Sequence, residues 1–229
     1  MTLVTTGTPV SGIIATKEDV EAFRESCVFL RSQWVHFTTL FRGSDLKREL
    51  LQSIAPIFFS DLHQLLMEHL VLQICRLTDE AQMRGRKNLT VKFLMEHTDW
   101  STAPGRLATL RAISDSIHDF RKRILPARTW FIAHLDLTAV RLGDPLGAAS
   151  DAEWHQFWFD LQDFLELMSL HHVDPNLHFY LNAAALRSDG ESLLTALRNA
   201  KRFEAVMDDR EIATHAQRAA DTSRFAGDL

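Results

Sequence analysis

An all-α helical bundle is the fold class this sequence predicts, and three observations predict it. Apolar residues recur three and four positions apart over long stretches, the spacing that lines one face of an α-helix. Leu, Ala and Phe dominate, and the 229 residues include only 9 Gly and 6 Pro, a composition that favours helices. No run alternates apolar and polar side chains as a half-buried strand would.

Taken in order, Thr16 and Asp19 of TKED form a capping box that opens the first helix. Val20, Phe23, Cys27, Leu30, Trp34, Phe37 and Phe41 make its buried stripe, and Gly43 ends it. Asp45 is expected to cap a short helix through Ile54. Pro56 starts the next element, because proline tolerates a first turn but not a helix interior. From Ile57 to Leu77 the chain is apolar on most sides, which places that helix centrally in a bundle. DEAQMRGRKN reads as a polar loop, with Asn88 capping a short helix from Leu89 to about His97.

Pro104 opens a helix whose stripe is Leu107, Leu110, Ile113, Ile117, Phe120 and Ile124. Pro126 is expected to interrupt it and to start a new helix carrying ARTWFIAHLD. RLGDPLGAAS is a turn-rich connection. Ser150 and Glu153 form a second capping box, followed by the cleanest amphipathic pattern: Trp154, Phe157, Trp158, Leu161, Phe164, Leu165 and Met168. That aromatic stripe reads as core or dimer interface. Asp174-Pro175 breaks the helix, and Ser188 with Glu191 announces a last one to about Val206. A single helical domain over residues 16–206 is expected, with loosely ordered termini at 1–15 and 207–229.

Charge and cysteine usage narrow the class. The net charge of −5 lacks the global basic footprint of a duplex-coating protein, so any nucleic acid meets a local patch. Cys27 and Cys75 sit within apolar helical pattern and read as core fillers in a reducing cytosol. No secretory signal and no membrane-length apolar run is visible, so a cytoplasmic protein is expected. The 11 histidines do not fall at metal-ligand spacing: His171 and His172 are adjacent, His63 and His69 are badly placed for one ion, and neither His-Glu-x-x-His nor Cys-x-x-Cys occurs. A glycine-rich phosphate loop is also missing. No metal and no cofactor is therefore expected.

The residues that point to chemistry lie in ARTWFIAHLD. On an α-helix Arg128, Phe131 and His134 follow one ridge, with Arg128 and His134 roughly 9 Å apart along the axis and about 120° apart around it. One copy does not close on a single phosphate, but two copies facing across a two-fold axis would. The residue types suit RNA cleavage. An imidazole titrates in the right range to take a proton from a 2′-hydroxyl, and a guanidinium stabilises charge building on phosphate oxygens without a metal.

Arg-x5-His ending in Ala-His and followed by an acidic residue resembles the signature of the HEPN superfamily, and the best local match is to its AbiU-like abortive-infection branch. Three segments carry the resemblance: IAPIFFSDLHQLLMEHLVLQICRLTD at residues 54–79, KNLTVKFL at 87–94 and RTWFIAHLD at 128–136. It implies a helical bundle that dimerises through the motif, metal-independent ribonuclease activity, and a place in toxin–antitoxin or antiviral systems with an antitoxin partner. It also implies Arg128 and His134 as the catalytic pair, with Thr129 and Asp136 in support. Thr129 replaces the polar amide and Trp130 the lysine frequent at these positions in the superfamily. The alternative is a non-catalytic HEPN-fold module that binds nucleotide, RNA or protein.

Around this motif, Arg121, Lys122 and Arg123 give a basic run that either tracks an RNA backbone or complements a helix C-terminus. RGRK at 84–87 reads both ways too. His69, Arg76 and Asp79 share one side of the central helix, as an internal hydrogen-bonded network or as a layer behind the motif.

Overall fold

The helix starts follow from their caps. In the computed structural model, which describes residues 13–132, 149–176, 178–181 and 187–226, the N–H of Thr16 donates to Asp19 Oδ2 (2.9 Å) and that of Asp19 to Thr16 Oγ1 (3.3 Å). Ser150 and Glu153 exchange the same pair, at 2.7 Å and 3.3 Å. Each box satisfies two donors that a helix start would otherwise leave unpaired. The described elements run α1 (Lys17–Phe41), α2 (Asp45–Ile54), α3 (Pro56–Leu77), β1 (Gln82–Met83), β2 (Arg86–Lys87), α4 (Val91–His97), α5 (Pro104–Pro126), a π-helical turn (Ala127–Ile132), α6 (Asp151–His172) and α7 (Arg187–Ala226). The class is all-α, as the periodicity predicts.

Within the described residues the chain packs as two compact units, one in Met1–Trp34 with Gln64–Ala183 and the other in Val35–His63 with Ala184–Leu229. The first is centred on α5 against α6. Leu110, Ile117, Phe120 and Ile124 of α5 are buried, as are Trp154, Phe157, Trp158, Leu161, Phe164, Leu165 and Met168 of α6. Phe120 stacks on Phe157 (centroids 4.6 Å, planes 24° apart), and Trp34 stacks on Trp154 (4.3 Å, 19°). The predicted aromatic stripe is thus core. Asp160 is buried beside it and accepts from Ser116 Oγ (2.6 Å) and Gln156 Nε2 (2.8 Å), so its charge does not go unpartnered.

The second unit has a smaller core of Leu40, Leu50, Leu51, Phe59 and Leu194. Here α7 comes close to α1 because residue 190 is glycine: a Cβ there would meet Thr39 Cγ2 at 2.8 Å. Lys201 Nζ donates to Ser53 Oγ (2.6 Å) across the same unit. Among the described residues no helix is long and apolar enough to cross a membrane.

Five expectations change. Ser44, not Asp45, is the N-cap of α2. Asp45 takes the first helical position, where its carboxylate faces the positive helix end and pairs with Arg48. Pro126 does not interrupt the chain's helical course: α5 continues through it, and the next six residues widen into the π turn. Proline brings no N–H to the carbonyl four residues back, and a wider turn is one way a helix absorbs that defect. The loop after α3 contains a two-stranded antiparallel ladder, Gln82 opposite Lys87 and Met83 opposite Arg86. Arg84 and Gly85 both have positive φ (49° and 78°), as a primed two-residue hairpin turn demands. Thr90 caps α4 by accepting from the Phe93 N–H (3.1 Å), while Asn88 closes the hairpin by donating to the Glu80 carbonyl (3.0 Å). Finally, α7 runs to Ala226 rather than to about Val206. Its side chains from 201 to 215 are all exposed, so helix-forming residues extend it beyond the buried stripe that periodicity detects.

Candidate functional site

The site is assembled where α3 ends, α5 ends and the π turn begins. Cys75 is buried on the last turn of α3. Asp79 follows just past the helix end, and its Oδ1 accepts from Arg121 Nη2 at 2.5 Å. Both side chains are mostly sequestered, 16% and 20% exposed, so the pair sits in the low-dielectric range where a charge needs its partner. Arg121 Nε is buried too, with no hydrogen-bond partner among the described residues.

Arg128 stands on the π turn that follows α5. Burial pushes the Cys75 thiol up, while the guanidinium charges of Arg121 and Arg128 pull it back and Asp79 adds to the rise. Two arginines from successive segments therefore act on one interior point. Cys27 lacks that company: burial alone pushes its thiol up. Arg128 and Thr129 are both half-buried.

The remaining predicted residues fall as follows. Lys122 is exposed and pairs with Asp119 on its own helix (2.7 Å). Arg123 reaches Glu153 of the α6 capping box, Nε to Oε1 at 2.9 Å. His134 and Asp136 lie outside the described residues. The α-helical ridge expected for Arg128, Phe131 and His134 does not start as such, because Ala127–Ile132 is π-helical and the 9 Å and 120° relation assumed a regular α-helix.

The His69–Arg76–Asp79 network does not form. Asp79 is taken by Arg121, the exposed Arg76 donates to Gln73 Oε1 (3.1 Å), and His69 Nε2 is buried without a partner among the described residues. Residues one or two helical turns apart share a side of a helix, but Asp79 lies past the end of α3 and pairs with Arg121 of α5 instead.

The chain matches the family model for AbiU2, a HEPN family, over residues 13–184. That span covers most of the chain and contains α3, the hairpin, α5 and the π turn with Arg128. The chain belongs to the AbiU2 family of HEPN proteins. No curated protein and no solved structure matches it. Within this AbiU2 chain, the features that sequence reasoning missed are the Asp79–Arg121 pairing and the hairpin. The first carries no local signal, because Asp79 and Arg121 are 42 positions apart. The hairpin does carry one: Arg84-Gly85 between Gln82-Met83 and Arg86-Lys87 is a two-residue turn with glycine at its second position.

Among the described residues no three His, Cys, Asp or Glu side chains are grouped to hold a metal ion. Next to the site lies an open cleft of about 840 Å³ whose lining includes Gln73, Arg76, Asp79, Arg84, Arg86 and Lys87. Asp79 belongs to both the cleft and the Arg121 pair.

Proposed function

We propose that this AbiU2-family protein is a homodimeric, metal-independent endoribonuclease, cytoplasmic and acting as a toxin or phage-defence effector restrained by an antitoxin. Residues 16–206 act as one domain. Arg128 stabilises the scissile phosphate, and His134 takes the proton from the 2′-hydroxyl. The 2′-oxygen attacks phosphorus, the bond to the 5′-oxygen breaks, and that oxygen leaves with a proton. The products are a 2′,3′-cyclic phosphate and a 5′-hydroxyl. Thr129 and Asp136 orient the pair, and two copies meet through the Arg128/His134 face.

The observation that supports the reading is that Arg128 lies in a π-helical turn, where its charge acts with that of Arg121 on the buried Cys75 thiol. π turns recur at functional sites, and a guanidinium in partly dry surroundings acts on developing anionic charge more strongly than it would in water. Arg121 then acts through its pair with Asp79, while Lys122 and Arg123 on the outer side meet the RNA backbone.

The test incubates pure protein with single-stranded RNA in EDTA. General-base loss is worth about two to four orders of magnitude, so His134→Ala should cut the cleavage rate by that factor while leaving RNA affinity near wild type. Equal rates for the two proteins would discard the mechanism. Tight RNA binding without products from either would favour the non-catalytic module, which the Thr129–Trp130 departure from the superfamily pattern supports.

A further inference from the structure

We infer that the cleft framed by the β1–β2 hairpin is a phosphate-binding groove for the backbone of single-stranded RNA, carrying the strand toward Arg128. The inference rests on the nuclease reading only for where the strand leads.

Three observations carry it. The first is charge. Arg76, Arg84, Arg86 and Lys87 line the cleft with Asp79 as the one acidic residue in its wall. Asp79 is already neutralised by Arg121, so the cleft's charge is positive in a chain whose net charge is −5. Among the described residues no carboxylate pairs with Arg84 or Arg86, whereas Lys92, Arg121, Lys122 and Arg123 all have one.

The second is the way the hairpin presents these cations. Met83 and Arg86 stand opposite each other across the ladder, and the turn residues hold Arg84 at positive φ. An L-residue other than glycine, asparagine or aspartate is uncommon there. The ladder and the Asn88–Glu80 bond fix the turn and set its cations on one rim of the cleft, facing Gln73 and Arg76 of α3. The third is the mixture of surfaces. Partly exposed Met83 and Leu89 line the same space as the guanidinium groups. Flat guanidinium planes and apolar side chains accept unstacked bases, and the cations track the phosphates. An acidic peptide would use the charges but leave the apolar wall without a matched surface.

The experiment compares full-length wild type with the double variant Arg84→Asn/Arg86→Gln. Asparagine tolerates the positive φ at 84, and both positions are exposed, so thermal melting should be unchanged. Fluorescence anisotropy with a labelled 12-nucleotide oligouridylate, titrated from 50 to 200 mM KCl, reads affinity and its salt slope. Each phosphate contact on a single strand contributes about 0.7 to that slope, so losing two should lower it by about 1.4 and weaken binding on the order of tenfold. Unchanged affinity and slope in the double variant overturn the inference, as does a wild type that does not bind the oligomer. Oligoglutamate binding wild type more tightly than the RNA, and lost in the variant, gives the cleft to an acidic protein segment and overturns it too. If the slope falls as expected but neither wild type nor His134→Ala cleaves, the groove stands and the nuclease reading fails. Cleavage with an unchanged slope does the reverse.

Discussion

Helix α5 shows two faces that are built on opposite principles. One face, Leu110, Ile117, Phe120 and Ile124, packs on the aromatic stripe of α6 and is held by dispersion and the removal of apolar area from water. The other carries Arg121 toward Asp79, with Arg128 one segment later. The apolar face is worth more with each side chain it adds, and any one residue is replaceable by something similar. The charged face depends on a match: each group is costly alone and acceptable only with its partner. The contrast explains why the first face tolerates similar substitutes and the second does not.

The comparison can be broken by deletion. Phe157 is 1% exposed and stacks on Phe120, so Phe157→Ala should cost about 4 kcal/mol in urea unfolding, the range for emptying a buried aromatic site. On the charged face Asp79→Ala should cost about 3 kcal/mol, because it strands a sequestered guanidinium. Replacing both members, Asp79→Leu with Arg121→Met, should return stability to within about 1 kcal/mol of wild type, since no uncompensated charge is left. A double variant as unstable as the single one would show that the pair is valued for packing, and the two faces would no longer differ in kind.

The same contrast accounts for what the sequence made legible. The α6 stripe, the Thr16 and Ser150 capping boxes and the all-α class follow from local spacing and are found as read, while the α5 stripe is buried at Leu110, Ile117, Phe120 and Ile124 and only partly at Leu107 and Ile113. The polar pairings are the least legible. Helical spacing groups Asp79 with His69 and Arg76, yet its partner lies on another helix, and no periodicity encodes that choice. Pro126 was visible, but a break and a widened turn remove the same hydrogen bond. Here α5 runs through Pro126 and the widened turn follows it. The hairpin strands are two residues each, too short for alternation to register. Arg128 and Thr129 of the short motif fall at the π turn, while His134 and Asp136 lie outside the described residues.

A half-buried imidazole at the end of α6 sharpens the comparison on a smaller scale, because it is polar, interior and neutral. Thr98 Oγ1 spends its single hydrogen on the Leu94 carbonyl (2.7 Å), so at 2.9 Å it accepts from His172 Nε2. Burial first, and the neighbouring His171 second, push His172 from 6.5 down to about 4, with Asp19 pulling weakly the other way. The unfolded chain therefore binds a proton as pH falls through 6.5, while the folded protein does not until about 4. Stability is fully present above 6.5 and declines between 6.5 and 4. Because the ring is half exposed, solvent screening trims the contribution to about 1–2 kcal/mol. Urea unfolding of wild type and His172→Gln at pH 7.5 and pH 4.5 isolates it from the other groups that titrate in this range. The variant should lose about 1 kcal/mol less than wild type on acidification. Parallel losses would mean that the Thr98 contact holds the charged ring as well as the neutral one, and that this end of α6 follows the rule of the charged face after all.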